Sequence, residues 1–395
     1  METNVLGMWF KNPIVVASTD IGRSPEKFRA FAKAGVGGII TKSVTDAAAL
    51  QQSSISMIHI MDMEQKSVRG NLPDCYSFFS RGGSMLPMEE FEREAEELLR
   101  IGKKYGTVVI GSISASRTEN WIAYAKRFEE MGFPAIELNF GNPHGEAADG
   151  KLGFLIGQSK ELCAEIVSHV LGAVQIPVIV KLTPQIADIA GTAKLLEERG
   201  VQAVTITHRF QGLVLDPETD QPIWGGWAAI GGPWMKPISL ANVARVRRNT
   251  GLTILGSNGV DTARDVYDYM LAGASLVQIG SSMMLRGPEY AARIVEELET
   301  LRKKKNVANW KDIVGAAAGQ IVTYKSLRDL PPRRPDIDTI QCERCSDKLC
   351  LDTCYFGGLF LREDGTLGHD DQSCSGCGLC QHICPKGAVT MKQII

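Results

Sequence analysis

Short apolar runs alternate with helix-period segments over about the first 300 residues of the chain. Most of the runs are followed by a segment with apolar residues at helical spacing, and a further helix is predicted over Glu89–Lys104. Eight strands with interleaved helices predict a (β/α)8 barrel, preceded by a hairpin from Thr3 to Phe10. A doubly wound open sheet is the alternative, but it needs a switch point in strand order that the sequence does not reveal. The eight predicted strands are Ile14–Ser18, Gly38–Lys42, Val108–Ser112, Ala135–Asn139, Val178–Leu182, Ala203–Thr207, Thr253–Ser257 and Leu276–Gly280.

Two connections are longer than a barrel requires. Ser43–Pro87 follows the second strand, and His208–Pro237, which contains three Trp residues, follows the sixth. Long connections inside a compact domain are usually functional or disordered. Both leave the C-terminal ends of strands, where active sites of such barrels lie, so we predict lids or pocket walls rather than idle insertions.

The composition favours a globular protein with one large and one small domain. The chain has 395 residues, 44% hydrophobic and 22% charged, with a net charge of −2, which gives no strong attraction to nucleic acid or anionic lipid. The N-terminus lacks the pattern of a signal peptide, and no apolar run is long enough to span a bilayer, so a cytoplasmic location is expected. We predict a barrel over residues 1–314, a linker over 315–340 that contains a Pro-rich stretch, and a Cys-rich domain over 341–395.

Eight of the ten cysteines fall in the last domain, in two runs. The second run, Cys374-x2-Cys377-x2-Cys380-x3-Cys384-Pro385, has the spacing of bacterial two-cluster ferredoxins. The first run is a longer variant, Cys342-x2-Cys345-x4-Cys350-x3-Cys354. Two zinc sites are the alternative, but a four-Cys run that ends in Pro favours [4Fe–4S] clusters. We therefore predict a ferredoxin-like domain that carries electrons.

In this type of domain, the fourth Cys of each run binds the cluster of the other run. This rule divides the eight cysteines into two predicted ligand sets. They are Cys342, Cys345, Cys350 and Cys384 for the first cluster, and Cys354, Cys374, Cys377 and Cys380 for the second.

Polar residues stand at the ends of several predicted strands. Gly-rich turns follow the seventh strand at Asn258-Gly259 and the eighth at Gly280-Ser281, and each leads into a helix, as in the phosphate sites of such barrels. Lys181 interrupts an apolar run, and burying its charge is costly unless it meets a negative charge. Reduced flavin offers that charge, and a structural salt bridge is the alternative. No G-x-G-x-x-G follows a strand, so no nicotinamide site is visible.

Several motifs together resemble a known family. They are Asn12-Pro13, Thr41-Lys42-Ser43, Glu137-Leu138-Asn139 with Pro143-His144-Gly145, Val180-Lys181-Leu182-Thr183-Pro184, Gly231-Gly232 and Gly256-Ser257-Asn258-Gly259. The chain resembles the flavin-dependent dihydroorotate/dihydropyrimidine dehydrogenases, most closely the FMN and iron–sulfur subunit of bacterial NAD-dependent dihydropyrimidine dehydrogenases. The resemblance implies an oxidoreductase acting on CH–CH groups. It also implies substrate contact by Asn139 and FMN binding by Ser18, Lys42, Ser43, Lys181, Gly232, Asn258, Gly259, Gly280 and Ser281.

The chain departs from this family where substrate is recognised. Asn142 occupies the position of the usual proton-transferring Cys or Ser, and an amide is no general acid. His208-Arg209 replaces an Asn-Thr pair that reads the pyrimidine. We predict that His208 is the proton donor or a substrate anchor and that Arg209 binds an anionic group, with His144 and Cys75 as alternative donors. Lys42 would stabilise the flavin and orient the substrate.

These inferences predict an enzyme that reduces an activated C=C bond of a cyclic or conjugated, anionic substrate with electrons delivered through the two clusters. A dihydropyrimidine dehydrogenase with an atypical donor and an electron-transfer flavoprotein subunit are the alternatives. The expected partner is an NAD(P)H-oxidising flavoprotein subunit or a ferredoxin, in a homo- or hetero-oligomer.

Overall fold

The computed structural model describes residues 2–52, 57–82, 85–145, 151–216 and 218–394. The chain divides into two compact units, Met1–Gln320 and Ile321–Ile395. Within the described ranges, no helix is long and apolar enough to cross a membrane.

The first unit is built on a closed barrel of eight parallel strands. Each strand pairs with its neighbours in sequence, and the eighth pairs with the first through Val277 and Ile14. The predicted barrel is therefore confirmed. Its strands are β1 (Ile14–Val16), β2 (Gly38–Ile40), β3 (Val108–Ile113), β4 (Ile136–Asn139), β5 (Val178–Lys181), β6 (Ala203–Ile206), β7 (Thr253–Ser257) and β8 (Leu276–Ile279).

Amphipathic helices cover the outside of the barrel. The helix Met88–Tyr105 is typical: its apolar stripe, which includes Phe91 and Leu98, is buried, and Gly106 ends it in the left-handed conformation with φ 60°. The helices of this unit, including two short ones, are Pro25–Lys33, Ala48–Gln52, Met88–Tyr105, Thr118–Glu130, Phe154–Gly157, Lys160–Leu171, Ile189–Glu198, Lys236–Asn249, Ala263–Ala272 and Ser281–Lys304.

The N-terminal hairpin closes the bottom of the barrel. As predicted, Thr3–Val5 pairs with Met8–Phe10. Val5 and Phe10 belong to the same buried cluster as Ile40 and Leu255 from the lower parts of barrel strands. The N-terminal end of the barrel is therefore apolar and filled, and this leaves the C-terminal end for polar groups.

The two long connections form one antiparallel sheet, which we call the cap sheet. Its strand order is Phe210–Gly212, Ala228–Gly231, Ser77–Arg81 and Met57–Met61. The two connections meet where Ile230 pairs with Phe79. The segments predicted as lids or pocket walls are therefore paired with each other.

In its described residues, the second unit contains two strand pairs, three short α-helices and the 3₁₀ helix Tyr324–Asp329. Arg333–Ile337 pairs with Val389–Gln393, and Leu359–Leu361 pairs with Leu367–His369. Arg333–Ile337 lies within the segment predicted as a linker, so that segment contributes a strand to this unit. Pro335 is tolerated there because a two-stranded ribbon has open edges where no N–H is needed. The helices are Thr339–Glu343, Leu349–Asp352 and Leu379–Ile383.

Candidate active site

The interior of the barrel changes from apolar to polar along each strand. Successive inward positions on β5 are Ile179, which is in the apolar floor cluster, and Lys181. Because inward residues recur every second position, the same step leads from Leu276 to Gln278 on β8. The period of two therefore places a layer of polar side chains directly above the apolar floor.

Four of these side chains form a buried network. Lys181 Nζ donates to Gln278 Oε1 at 2.8 Å and lies 3.4 Å from Glu137 Oε1. Glu137 Oε2 accepts from Gln278 Nε2 at 2.6 Å and from Thr205 Oγ1 at 2.7 Å. Burial lowers the pKa of Lys181, and the Glu137 carboxylate opposes this shift. The salt bridge that the sequence left as an alternative is thus present, and Lys181 also lines the cavity above it.

A cavity opens above this network at the C-terminal mouth of the barrel. It holds about 900 Å³ of empty space including its opening to solvent. The cap sheet forms part of its wall through Ile58, Phe78 and Ser80. The predicted site residues that line the cavity are Ser18, Lys42, Lys181, His208, Arg209, Asn258, Gly259, Gly280 and Ser281.

The Gly-rich turns predicted as a phosphate site follow β7 and β8 and line the cavity. Asn258 and Gly259 adopt φ 78° and φ 74°, and a Cβ on Gly259 would lie 2.4 Å from the Lys236 nitrogen. The second turn opens the helix Ser281–Lys304, whose first N–H groups lack partners inside the helix. The buried hydroxyls of Ser282 and Thr207 have no hydrogen-bond partner among the described residues, and Thr207 lines the cavity. These features fit a bound FMN.

Ser18 follows β1, beside the turn at Gly280, and Lys42 follows the next strand, β2. Lys42 Nζ pairs with Asp20 Oδ1 at 2.8 Å. Ser18 Oγ donates to the Thr41 carbonyl and lies 3.3 Å from Ser43 Oγ, which in turn lies 2.8 Å from Ser112 Oγ. Ser43 itself is buried behind this wall.

Arg209 is held from the cap sheet. Its Nη1 donates to Ser80 Oγ at 2.9 Å, and its guanidinium lies 5.6 Å from the centre of the Phe78 ring. Burial lowers the pKa of Arg209 to about 10, so it remains charged at neutral pH. The negative charge of Asp20 opposes this shift, and the guanidinium lines the cavity as a cation.

His208 is neutral in this setting. Burial and the charges of Lys181 and Arg209 hold its pKa well below 6.5. Its Nδ1 accepts from the Arg209 N–H at 2.7 Å, which assigns the proton of the neutral ring to Nε2. The ring can therefore donate a hydrogen bond to a ligand, but it is not a charged acid.

Asn139 at the end of β4 and the described residues 140–145 that follow it are not among the residues that line the cavity. Asn139 Nδ2 lies 3.4 Å from Ser43 Oγ, and its Oδ1 accepts from the Gly141 N–H. Asn142 is buried with an unpartnered Nδ2, while its Oδ1 accepts from the His144 N–H. Burial, with help from Arg209, lowers the pKa of His144 to about 4.

Two other predicted residues also lie apart from the cavity. Gly232 has φ 136°, and a Cβ there would meet the Tyr76 carbonyl at 2.1 Å. Cys75 Sγ lies 3.5 Å from Met63 Sδ and does not line the cavity.

Sequence reasoning missed several residues that shape the site. Gln278 could have been found from the sequence, because it is a polar residue inside the apolar strand Leu276–Ile279, as Lys181 is inside β5. Asp20, Phe78 and Ser80 could not have been found in this way. They lie in connections whose contacts form only in the folded barrel.

The thiols of the C-terminal unit gather in two groups. Cys354, Cys374, Cys377 and Cys380 line one cavity of about 360 Å³, together with Cys350. Burial raises the pKa of Cys350, and the neighbouring thiols of Cys342, Cys384 and Cys345 raise it further. Within the described ranges, no three His, Cys, Asp or Glu side chains are placed to hold a single metal ion.

Comparison with known proteins identifies the family. The family model described as Dihydroorotate dehydrogenase matches residues 1–301. The chain is 29% identical over 318 residues to the dihydroorotate dehydrogenase B (NAD(+)) catalytic subunit of Methanocaldococcus jannaschii, covering 80% of this chain and 98% of that protein. It is 30% identical over 321 residues to the corresponding subunit of Pyrococcus abyssi, covering 80% and 99%.

The chain therefore belongs to the dihydroorotate dehydrogenase family, as the sequence motifs predicted. It is a flavin oxidoreductase of the class that acts on CH–CH groups. These relatives are matched almost to their full length, yet a fifth of this chain stays unmatched. The family model ends at residue 301, before the C-terminal unit begins.

The buried network yields a stability prediction. Replacing Glu137 by Leu leaves Lys181 buried without its counter-charge, so we expect the free energy of unfolding in urea to fall by about 3–5 kcal/mol. The double variant Glu137→Leu/Lys181→Met should recover at least half of that loss, because the isolated charge is gone. Lys194→Met, on an exposed helix face, is the control. If the loss of unfolding free energy in the double variant equals the sum of the losses in Glu137→Leu and Lys181→Met, the two side chains are not coupled.

The pKa of His144 yields a pH prediction. Its folded pKa of about 4 lies below the ordinary 6.5, so the unfolded chain binds the extra proton first as pH falls. Wild-type stability should therefore decrease from pH 6.5 to pH 4, with His144 contributing at most about 3 kcal/mol. Urea unfolding of His144→Gln should show a shallower decrease, while exposed His169→Gln should match wild type. Equal slopes for wild type and His144→Gln would contradict the assignment.

Proposed function

We propose that this protein reduces an activated C=C bond of a cyclic or conjugated, anionic substrate, using FMN in the barrel and electrons delivered through two [4Fe–4S] clusters of the C-terminal unit. One observation carries the barrel part of this proposal. A single cavity combines a buried cation at its floor, Gly-rich turns on one wall and an arginine that is held by Ser80 on the cap side.

We assign the residues that match the family motifs to the binding of FMN. FMN, when bound, supplies hydride transfer to the substrate. Lys181 presents a charge held in place by Glu137 and Gln278, and this charge favours an anionic flavin ring. The N–H groups of the turns at Asn258-Gly259 and Gly280-Ser281 would hold the phosphate, and Ser18, Lys42, Ser43 and Gly232 would complete the site.

We propose that the substrate binds on the side of the cavity that is formed by the cap sheet. Arg209, fixed by Ser80 and Phe78, binds the anionic group through its planar fork. His208 anchors the substrate by donating a hydrogen bond from Nε2. Asn139 would contact the substrate ring. Because Asn142 has no useful pKa, the proton that accompanies the hydride must come from another group, and His144 remains a candidate.

The C-terminal thiols would hold the clusters that feed electrons to the barrel. The set predicted for the second cluster lines one cavity, together with Cys350 of the first set. The other three members of the first set, Cys342, Cys345 and Cys384, act on the pKa of Cys350. Two [4Fe–4S] clusters use eight thiolates, which is the number of cysteines in this unit. The spacing Cys374-x2-Cys377-x2-Cys380-x3-Cys384-Pro385 supports clusters over zinc ions.

An external donor follows from this scheme. The relatives are named as catalytic subunits of NAD(+)-dependent enzymes, while this sequence has no nicotinamide-binding signature. We propose that a separate NAD(P)H-oxidising flavoprotein subunit or a ferredoxin reduces the clusters, within an oligomer.

Dihydropyrimidine reduction is the second candidate, because the motifs of the flavin site resemble that family. The presence of Arg209 on the substrate side favours an anionic substrate instead. An electron-transfer subunit without a substrate of its own is a third reading. Mixing photoreduced protein with uracil, with thymine and with cyclic or conjugated carboxylic acids separates the three, because only a substrate reoxidises the flavin rapidly.

The clusters predict a specific iron content. Protein purified without oxygen should contain about eight iron atoms per chain, four for each cluster, together with one FMN. Cys377→Ser should lose about half of the iron, since Cys377 belongs to one predicted set alone. Cys75→Ser removes a thiol of the barrel unit and should keep all of it. Wild-type protein without iron would refute the electron relay, and a yellow, iron-free protein would leave the flavin site intact.

The substrate site predicts a charge-specific defect. For the acid that reoxidises the wild-type flavin fastest, Arg209→Met should lower kcat/KM by about 10- to 100-fold, as expected for lost hydrogen bonds to a charged group. The uncharged amide of the same acid should lose far less. Arg209→Lys should recover only part of the activity, and Arg199→Met, on an outer helix, should behave as wild type. Equal losses for acid and amide would contradict anion binding by Arg209.

A further inference from the structure

The two thiol sets differ in their exposure to solvent. In the first set, which is the predicted ligand group of the first cluster, Cys342, Cys345 and Cys350 are buried. In the second set none is buried, and Cys377 is exposed. A cluster in the first set would therefore be less hydrated than a cluster in the second.

A cation lies against the more buried set. Lys348 Nζ donates to Cys342 Sγ at 3.4 Å and to the Cys342 carbonyl oxygen. The backbone N–H of Ala388 donates to Cys384 Sγ at 3.3 Å. In the described part of the chain, no carboxylate forms an ion pair with Lys348, and no comparable N–H contacts a sulfur of the second set.

Burial and the neighbouring donors would shift the reduction potential of the first cluster in opposite directions. Reducing a cluster adds one negative charge to it, and burial disfavours that charge because water no longer stabilises it. A neighbouring ammonium and N–H donors to the sulfur atoms favour the added charge. Without compensation, the buried cluster would have the lower potential of the two and would accept electrons poorly from its neighbour.

We propose that Lys348 raises the reduction potential of the cluster held by Cys342, Cys345, Cys350 and Cys384 and so offsets the effect of burial. This keeps the two potentials close enough for electrons to pass between the clusters. The inference rests on the proposed function, because it requires that both clusters are present.

The test is a redox titration of the full-length protein under anaerobic conditions, followed by the electron paramagnetic resonance signals of the reduced clusters. Lys348→Met removes the charge and keeps an unbranched side chain, and both residues carry a Cβ at the same positive φ of 44°. Lys392→Met removes a charge from the same unit, where Lys392 pairs with Asp336 and contacts no thiol. Lys348→Arg keeps the charge.

In Lys348→Met, the midpoint potential of one cluster should fall and that of the other should stay nearly constant, so that their separation widens. Lys348→Arg should remain close to wild type, and Lys392→Met should shift neither potential selectively. Iron content is measured for every variant. If Lys348→Met loses iron, Lys348→Gln, which keeps an uncharged N–H donor, should show a smaller fall in the same direction.

Unchanged potentials in an iron-replete neutral variant would overturn the role of Lys348 and leave the clusters in place. A wild-type protein that contains no iron would instead overturn the proposed relay, and this inference with it.

Discussion

The barrel depends on one buried charge and the groups that satisfy it. Lys181 lies among side chains that are almost fully buried, and its ammonium is held by Gln278 and Glu137. The network joins strands β4, β5, β6 and β8, so it forms only when the barrel is closed. Since well-packed apolar residues often replace a buried ion pair without loss of stability, its presence suggests a purpose beyond folding. A charge held at the floor of a cofactor cavity is such a purpose.

The position of this charge follows from the alternation of side chains along the strands. The lower inward residues are apolar and pack on the N-terminal hairpin, and the next inward residues are polar and face the cavity. The apolar base is closed and rigid, so the polar layer is fixed from below. The cap sheet then adds the opposite wall, with Phe78 and Ser80 orienting Arg209. The cavity is thereby walled by the barrel on one side and by the long connections on the other, and we propose that these are its cofactor and substrate sides.

The sequence predicted the barrel well because its strands and helices are local patterns. The short apolar runs locate all eight strands, and Lys181 is visible as a single charge inside one of them. The partners of Lys181 were not predictable, since Glu137 and Gln278 lie 44 and 97 positions away along the chain. The cap sheet was predicted only as a pair of long connections, because its strands have three to five residues and pair across the whole barrel sequence. The two ligand sets read from the Cys spacing stay predictions, and Cys350, assigned to the first set, lines the same cavity as the second set.

The central claim is that a flavin occupies the cavity above Lys181 and that its substrate side faces Arg209. The most direct test is an experimental structure of the protein purified and crystallised without oxygen. The account predicts electron density for FMN in this cavity, with the phosphate at the turns of Gly259 and Gly280 and the ring next to Lys181. A flavin bound elsewhere, or an empty cavity in a protein whose solution contains stoichiometric FMN, would contradict it.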